Sequence, residues 1–206
     1  MPTDLLVIGA GGHAKVVLDS VWIDNPDRLI RLIDDDPVKQ GTQLLPGIVV
    51  ESVDILERQA GGYHVAIGNN HIRRRYSGRL EATGRTAVTV MHESASVSDY
   101  ADINSGSFIA AGAVVAPGAC VGKGVIVNHR AVVDHDCDIG DFAHIAPGST
   151  LGGGVKVGQN VLIGAGATIL PMVSIADNAI IGAGAVVTSD VGEGMTFTGV
   201  PARRRD

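Results

Sequence analysis

Near the middle of this 206-residue chain a histidine stands between carboxylates, in Val133-Asp134-His135-Asp136-Cys137. An imidazole with its ordinary pKa of about 6.5 can take a proton from an attacking nucleophile at neutral pH, and a neighbouring carboxylate orients the ring and raises its basicity. His135 is therefore a candidate general base and Asp136 its partner. By itself such a pair is most often a surface pair, so its meaning depends on what the chain builds around it. A second set of residues lies near the N-terminus. Gly9-Ala10-Gly11-Gly12-His13 follows the apolar run Asp4–Ile8, and a glycine turn between strand and helix lets backbone N–H groups approach a phosphate. Asp34-Asp35-Asp36 closes a second apolar run, where carboxylates can accept hydrogen bonds from sugar hydroxyls. The dinucleotide fingerprint is incomplete, because Ala14 stands where its last glycine would be, which argues against an NAD site.

The elements that must hold these residues fall into two patterns. Residues 1–90 read as a small Rossmann-like βαβ domain: strands over Asp4–Ile8, Leu29–Ile33 and Tyr63–Ile67, helices over Ala14–Trp22 and Asn70–Ala82, and a short helix over Val50–Arg58. From Val97 to Val187 every sixth residue is aliphatic, and the residue four places after each is small or β-branched. In a strand, residues two apart share a face. Each hexapeptide is then a short strand with two inward residues and a turn. Three of them close a triangular coil of eighteen residues, and the coils stack at about 4.8 Å into a solenoid over 91–190, with 191–206 as a cap.

Stacking at eighteen residues defines the outer columns. Asp102, Cys120, Asp138, Lys156 and Ser174 make a solvated face. Phe108, Ile126, His144, Leu162 and Ile180 make an apolar stripe that wants a partner, read here as a subunit seam. Gly164-Ala165-Gly166 stacks on Gly182-Ala183-Gly184, a smooth corner along which an extended ligand could lie or the coil could simply turn tightly.

This combination of hexapeptide period and glycine turn resembles the left-handed parallel β-helix acyltransferases, specifically the bacterial sugar acyltransferases of the PglD and NeuD type, over essentially the whole chain. The resemblance implies an acetyl-CoA-dependent N-acetyltransferase acting on a UDP- or GDP-linked 4-amino-4,6-dideoxy sugar of a surface glycan. It implies that Gly11, Gly12, His13, Asp35, Asp36 and Asn69 hold the nucleotide sugar, with Asn70 beside them. It matches His135 to the general base with an acidic neighbour, and His144, nine residues on, to an acetyl-CoA contact, joined by Ala165 and Ala183. The family's neighbour is commonly glutamate, so the shorter Asp136 leaves open whether the carboxylate reaches the ring. Gly199–Arg203 resembles a segment closing over the cofactor, and Arg203–Arg205 could meet CoA phosphates or be a solvated tail. Gly152-Gly153-Gly154 could offer oxyanion donors; His129 receives no role. Family members are trimers, and no metal is implied. The unbroken register leaves no inserted lid, so coil turns, a neighbouring subunit and the N-terminal domain must wall the pocket.

Other readings remain: O-acetylation of a sugar such as sialic acid, a zinc hydratase of the γ-carbonic anhydrase type using His129, His135 and His144, and a non-catalytic nucleotide-sugar scaffold. The formal net charge of −6 provides no basic footprint for nucleic acid. Two cysteines imply no disulfide framework, which suits a reducing compartment. The absence of a leader-like start or a long apolar run points to a cytoplasmic protein with no membrane partner.

Overall fold

The structure, a computed structural model, describes residues 5–54 and 61–205. The N-terminal domain runs β1 (Leu5–Ile8), α1 (Gly12–Asp24), β2 (Ile30–Ile33), β3 (Gln43–Leu45), β4 (Ile48–Glu51), β5 (Gly62–Val65), α2 (Asn70–Glu81) and β6 (Thr86–Ala87). Its sheet order is β3-β4-β2-β1-β5-β6, parallel except for the β3–β4 hairpin. The wholly apolar β1 pairs with β2 on one side and β5 on the other, as a strand covered on both faces should. The expected helix from Val50 is corrected in part: Ile48–Glu51 is a strand whose Val50 pairs with Leu32. Its β-branched run suits a strand paired on both sides better than a helix. Residues 55–58 of that expectation lie outside the described residues.

The solenoid follows the eighteen-residue stacking. Phe108 pairs with Ile126, Ile126 with His144, and His144 with Leu162, each in parallel register, and the other two faces repeat the rule. Face 1 carries Val90–Met91, Phe108–Ile109, Ile126–Val127, His144–Ile145, Leu162–Ile163, Ile180–Ile181 and Thr196–Thr198. Face 2 runs from Ser96–Val97 to Val186–Val187, and face 3 from Asp102–Ile103 to Ser174–Ile175. Every sixth residue from Ile109 to Val187 is buried in one continuous core, with the intervening small residues, Cys137 among them. Inward Ser107 and Ser149 donate to the carbonyls of Gly122 and Ala146, so neither hydroxyl is buried without a partner.

The apolar outer column of face 1 corrects another expectation. Phe108 and Ile126 are fully buried, but against the chain's own N-terminal domain, in a cluster with Val7, Ala10, Val17 and Val21. Burying Phe108 and Ile126 stabilises the seam by about 2 kcal/mol each. Leu162 and Ile180, lower in the same column, remain partly exposed. The stripe is thus a domain seam at its upper end.

Arg73 locks that seam. The α2 pattern turns Asn70, Arg73, Tyr76, Ser77 and Leu80 inward. Arg73 Nε donates to Gly124 O at 2.7 Å, and Nη2 to Phe142 O at 2.7 Å and Ala143 O at 3.2 Å, so the guanidinium grips two successive coils. Nη1 holds Ile67 O and Gly68 O at 3.0 and 3.1 Å, tying the loop after β5 to the same point. Burial pulls its pKa down to about 9, while the surrounding carbonyls satisfy the charge.

Candidate active site

Three structural units carry the candidate residues. The first is a cleft of about 340 Å³ over the C-terminal ends of β1 and β2, lined by Gly9–His13, Asp34, Asp35, Lys39, Ala66–Gly68, Ile72, Arg75 and Tyr76. Gly9, at φ +101°, is the position that demands glycine, since a Cβ there would sit within 2.5 Å of Ile67. Gly11 caps α1 without any side-chain hydrogen bond, and the first turn of α1 holds no acidic residue. The helix therefore presents its unfilled N–H groups and positive end to the cleft, a natural seat for a diphosphate, with Lys39 and Arg75 on the rim.

The acidic run divides its labour in a way the sequence did not show. Buried Asp34 accepts from Ala10 N at 2.6 Å, Asp36 N at 2.9 Å and Lys39 Nζ at 3.1 Å, so it braces the glycine turn. These bonds hold its pKa below the ordinary value even though burial works against them. Asp35 is exposed at the cleft and accepts from Tyr76 Oη. Asp36 turns its carboxylate to Val38 N–H, away from the cleft. Asn69 is the N-cap of α2, accepting from Ile72 N at 3.0 Å, and faces a different recess. Asn70 donates to Asn160 O and Val161 O, fastening α2 to the prism. His13 lies edge-on to Phe108, and burial drives its pKa down to about 3, so it is neutral in the cleft wall.

The second unit is the corner between faces 1 and 2. Ala165 and Ala183 are exposed there, and Gly148, Gly166 and Gly184 have open space where a side chain would be. The corner is thus a bare vertical strip with almost no side chains, along which an extended ligand has room to lie against the backbone. His144 closes its face 1 side. Its Nδ1 donates to Gly68 O at 3.3 Å and its Nε2 accepts from Asn128 Nδ2 at 3.1 Å. Burial lowers its pKa to about 4, which keeps it neutral. Gly68 belongs to the cleft wall as well, so the cleft and His144 share a residue.

The third unit is the corner between faces 2 and 3. His135 Nδ1 and Asp136 Oδ2 are 2.8 Å apart, so the short carboxylate does reach the ring. The backbone makes this possible: Asp136 occupies the left-handed corner position at φ 59°, the one that recurs every sixth residue. Stacked glycines make the room. A Cβ on Gly118, in the preceding coil, would strike the Asp136 carboxylate, and one on Gly153, in the following coil, would strike the His135 ring. Asp136 accepts the Nδ1 hydrogen, leaving Nε2 bare as a base, and with Asp134 nearby this raises the pKa of His135 above its ordinary value. Of the glycine turn Gly152–Gly154, the N–H groups of Gly152 and Gly154 are spent on Ile169 O and His135 O, which removes two of the three oxyanion donors it could offer.

Within one chain the cleft meets His144 through Gly68, and Ala165 and Ala183 lie at the corner that follows face 1, while the whole of face 2 separates all of these from His135 and Asp136. Among the described residues no three His, Cys, Asp or Glu side chains are grouped to hold a metal ion, and no helix is long and apolar enough to cross a membrane.

Comparison with known proteins bears on this arrangement. Residues 4–80 match the PglD N-terminal domain and residues 154–189 the bacterial transferase hexapeptide (six repeats). The acetyltransferase domain of PglB from Neisseria gonorrhoeae FA1090, solved in complex with acetyl coenzyme A, is 37% identical over the full length of both chains, with a TM-score of 0.94. The chain belongs to the PglD-type hexapeptide-repeat sugar acyltransferases. Within this family, a mutant of perosamine N-acetyltransferase from Caulobacter crescentus, in complex with CoA and GDP-perosamine, is 33% identical over 98% of this chain and 97% of that one, with a TM-score of 0.92. GDP-perosamine N-acetyltransferase of Escherichia coli is 37% identical over 107 residues, 52% of this chain and 48% of that protein. The chain therefore spans about half the length of the curated relatives it matches.

Proposed function

We propose that this PglD-type chain transfers an acetyl group from acetyl-CoA to the amino group of a UDP- or GDP-linked 4-amino-4,6-dideoxy sugar, in the cytoplasm, for surface glycan assembly. The observation that carries the reading is the His135–Asp136 pair, a ring with its hydrogen fixed on Nδ1 and its base nitrogen bare at Nε2. Relatives named for acetyl coenzyme A and GDP-perosamine support the choice of donor and acceptor.

In this reading the diphosphate sits on the N-terminus of α1 and Asp35 takes a sugar or ribose hydroxyl. The thioester lies along the groove of Gly148, Ala165 and Ala183. The neutral amine attacks the thioester carbonyl directly and its proton passes to His135 Nε2; the tetrahedral intermediate then collapses to the amide as the C–S bond breaks, and the imidazolium returns that proton to the departing thiolate, giving CoA thiol. Because face 2 separates the base from the groove, the site is completed by His135 of a second copy. Three copies around one axis close this arrangement symmetrically, making a homotrimer.

The test is CoA thiol release from acetyl-CoA against a panel of UDP- and GDP-linked 4-amino sugars, with His135→Ala beside the parent. The expected result is turnover with one panel member, lost by about 10²-fold or more in the variant. Mixed assemblies of His135→Ala and His144→Ala chains should regain activity, since each supplies what the other lacks. Unchanged turnover in His135→Ala discards the base. Silence across the panel discards the acceptor class.

A further inference from the structure

The mechanism above leaves His129 without a task, yet its ring is closely specified by hydrogen bonds. A backbone carbonyl can only accept, so the hydrogen between His144 Nδ1 and Gly68 O belongs to His144. His144 Nε2 is then an acceptor, and the atom facing it at 3.1 Å is the amide nitrogen of Asn128. Asn128 Oδ1 points the opposite way and accepts the backbone N–H of His129 at 2.9 Å. That N–H can only donate, so it sets the same orientation of the amide independently. Asn128 Oδ1 also lies 3.0 Å from His129 Nδ1, which must therefore carry the hydrogen. One chain of bonds from Gly68 thus leaves His129 Nε2 as a bare acceptor.

Its position gives that atom a use. His129 lines a recess of the face 1–face 2 corner with Ala111, Arg130, Pro147 and Gly148. By the eighteen-residue rule it stands directly above Pro147, Ala165 and Ala183, so it is the polar head of an otherwise featureless groove.

We propose that His129 Nε2 accepts a hydrogen bond from an N–H or O–H of bound substrate at the head of this groove, and that Asn128 positions it. The inference rests on the acetyltransferase reading for its ligand. Two substrate groups share the required chemistry: an amide N–H of the pantetheine arm, and an amine or hydroxyl of the acceptor sugar.

The first measurement is ¹⁵N NMR of the histidine-labelled full chain, with His129→Gln identifying the signals lost. His129 should show a protonated Nδ1 and a bare Nε2, and Asn128→Leu should abolish that preference. The second is steady-state kinetics. Losing one neutral hydrogen bond in His129→Leu should raise one KM by up to about tenfold with little change in kcat. His129→Gln, which keeps an acceptor oxygen, should recover most of it. A rise in KM for acetyl-CoA assigns the bond to the pantetheine arm, and a rise for the sugar assigns it to the acceptor. A protonated Nε2, or both KM values unchanged in His129→Leu, overturns the proposal. If no acceptor turns over, the acetyltransferase reading has failed separately; calorimetric binding of acetyl-CoA then decides, with equal affinity in parent and His129→Leu counting against the proposal.

Discussion

His64 makes the N-terminal domain acid-sensitive by an amount that can be worked out. It sits on β5, fully buried, with Nδ1 at 2.9 Å from Val88 O and its ring 6.2 Å from that of Phe108. Desolvation lowers its pKa to about 4; the bond to Val88 O opposes the shift, and the neighbouring Arg73 charge adds to it. Unfolded, it titrates near 6.5. Between those values the unfolded chain holds a proton that the folded chain refuses, so stability is fully present above pH 6.5 and falls as the pH drops through this window. Integrating the difference in bound protons from pH 7 to pH 5 gives about 2 kcal/mol for this one ring. His64→Asn keeps an N–H for Val88 O and removes the titration. Urea unfolding at pH 7 and pH 5 should show the parent losing about 2 kcal/mol more than His64→Asn between the two pH values. The variant's own cost in packing appears at both and cancels. Equal losses in parent and variant would refute the argument, because His64 would then have to accept its proton while folded.

Three further outcomes follow from the geometry. Asp136→Asn tolerates the left-handed corner but withdraws the charge that raises the His135 pKa, so the acid limb of the pH–rate profile of kcat/KM should move to lower pH while the plateau rate falls. Gly153→Ala should push the His135 ring off its seat and cut kcat by about 10²-fold or less, with an unchanged melting temperature, since the ring is exposed and free to yield. Arg73→Lys offers three donors where the guanidinium reaches six acceptors, the carbonyls of Gly124, Ile67, Gly68, Phe142 and Ala143 and the Asn70 Oδ1. At about 1 kcal/mol for each bond lost, it should cost roughly 2–3 kcal/mol in denaturant unfolding.

The solenoid was legible because its rule is local and repeated: an aliphatic every sixth residue can be buried in only one register, and that register carries His135, Ala165 and Ala183 to definite corners and His144 to the outside of face 1. The features that escaped depend on contacts between segments with no common period. Nothing near Arg73 distinguishes it from Arg74 or Arg75, since all three sit in one polar helix and only the prism decides which faces inward. Asp34 reads like Asp35 and Asp36, and its role depends on the glycine turn twenty-four residues away. The apolar column from Phe108 to Ile180 was visible as a surface needing cover, but a stripe does not say what covers it; a chain with its own α/β domain can spend the upper rungs on itself. One signal was available and unread. The corner position at 106, 112, 118 and 124 is glycine, and the same position holds Arg130, Asp136 and Phe142 at similar positive φ. A bulky or charged residue kept where glycine is cheaper costs on the order of 1–2 kcal/mol, so such positions are candidates for side-chain chemistry. Asp136 orients the base, Phe142 lies beneath Gly124 where Arg73 grips the coil, and Arg130 adjoins His129. Asn160, Met172 and Asn178 fill the same register further along, so a departure from glycine narrows the search without deciding it; on the reading proposed above, three of the six coincide with the partner of the base, the domain clamp and the head of the groove.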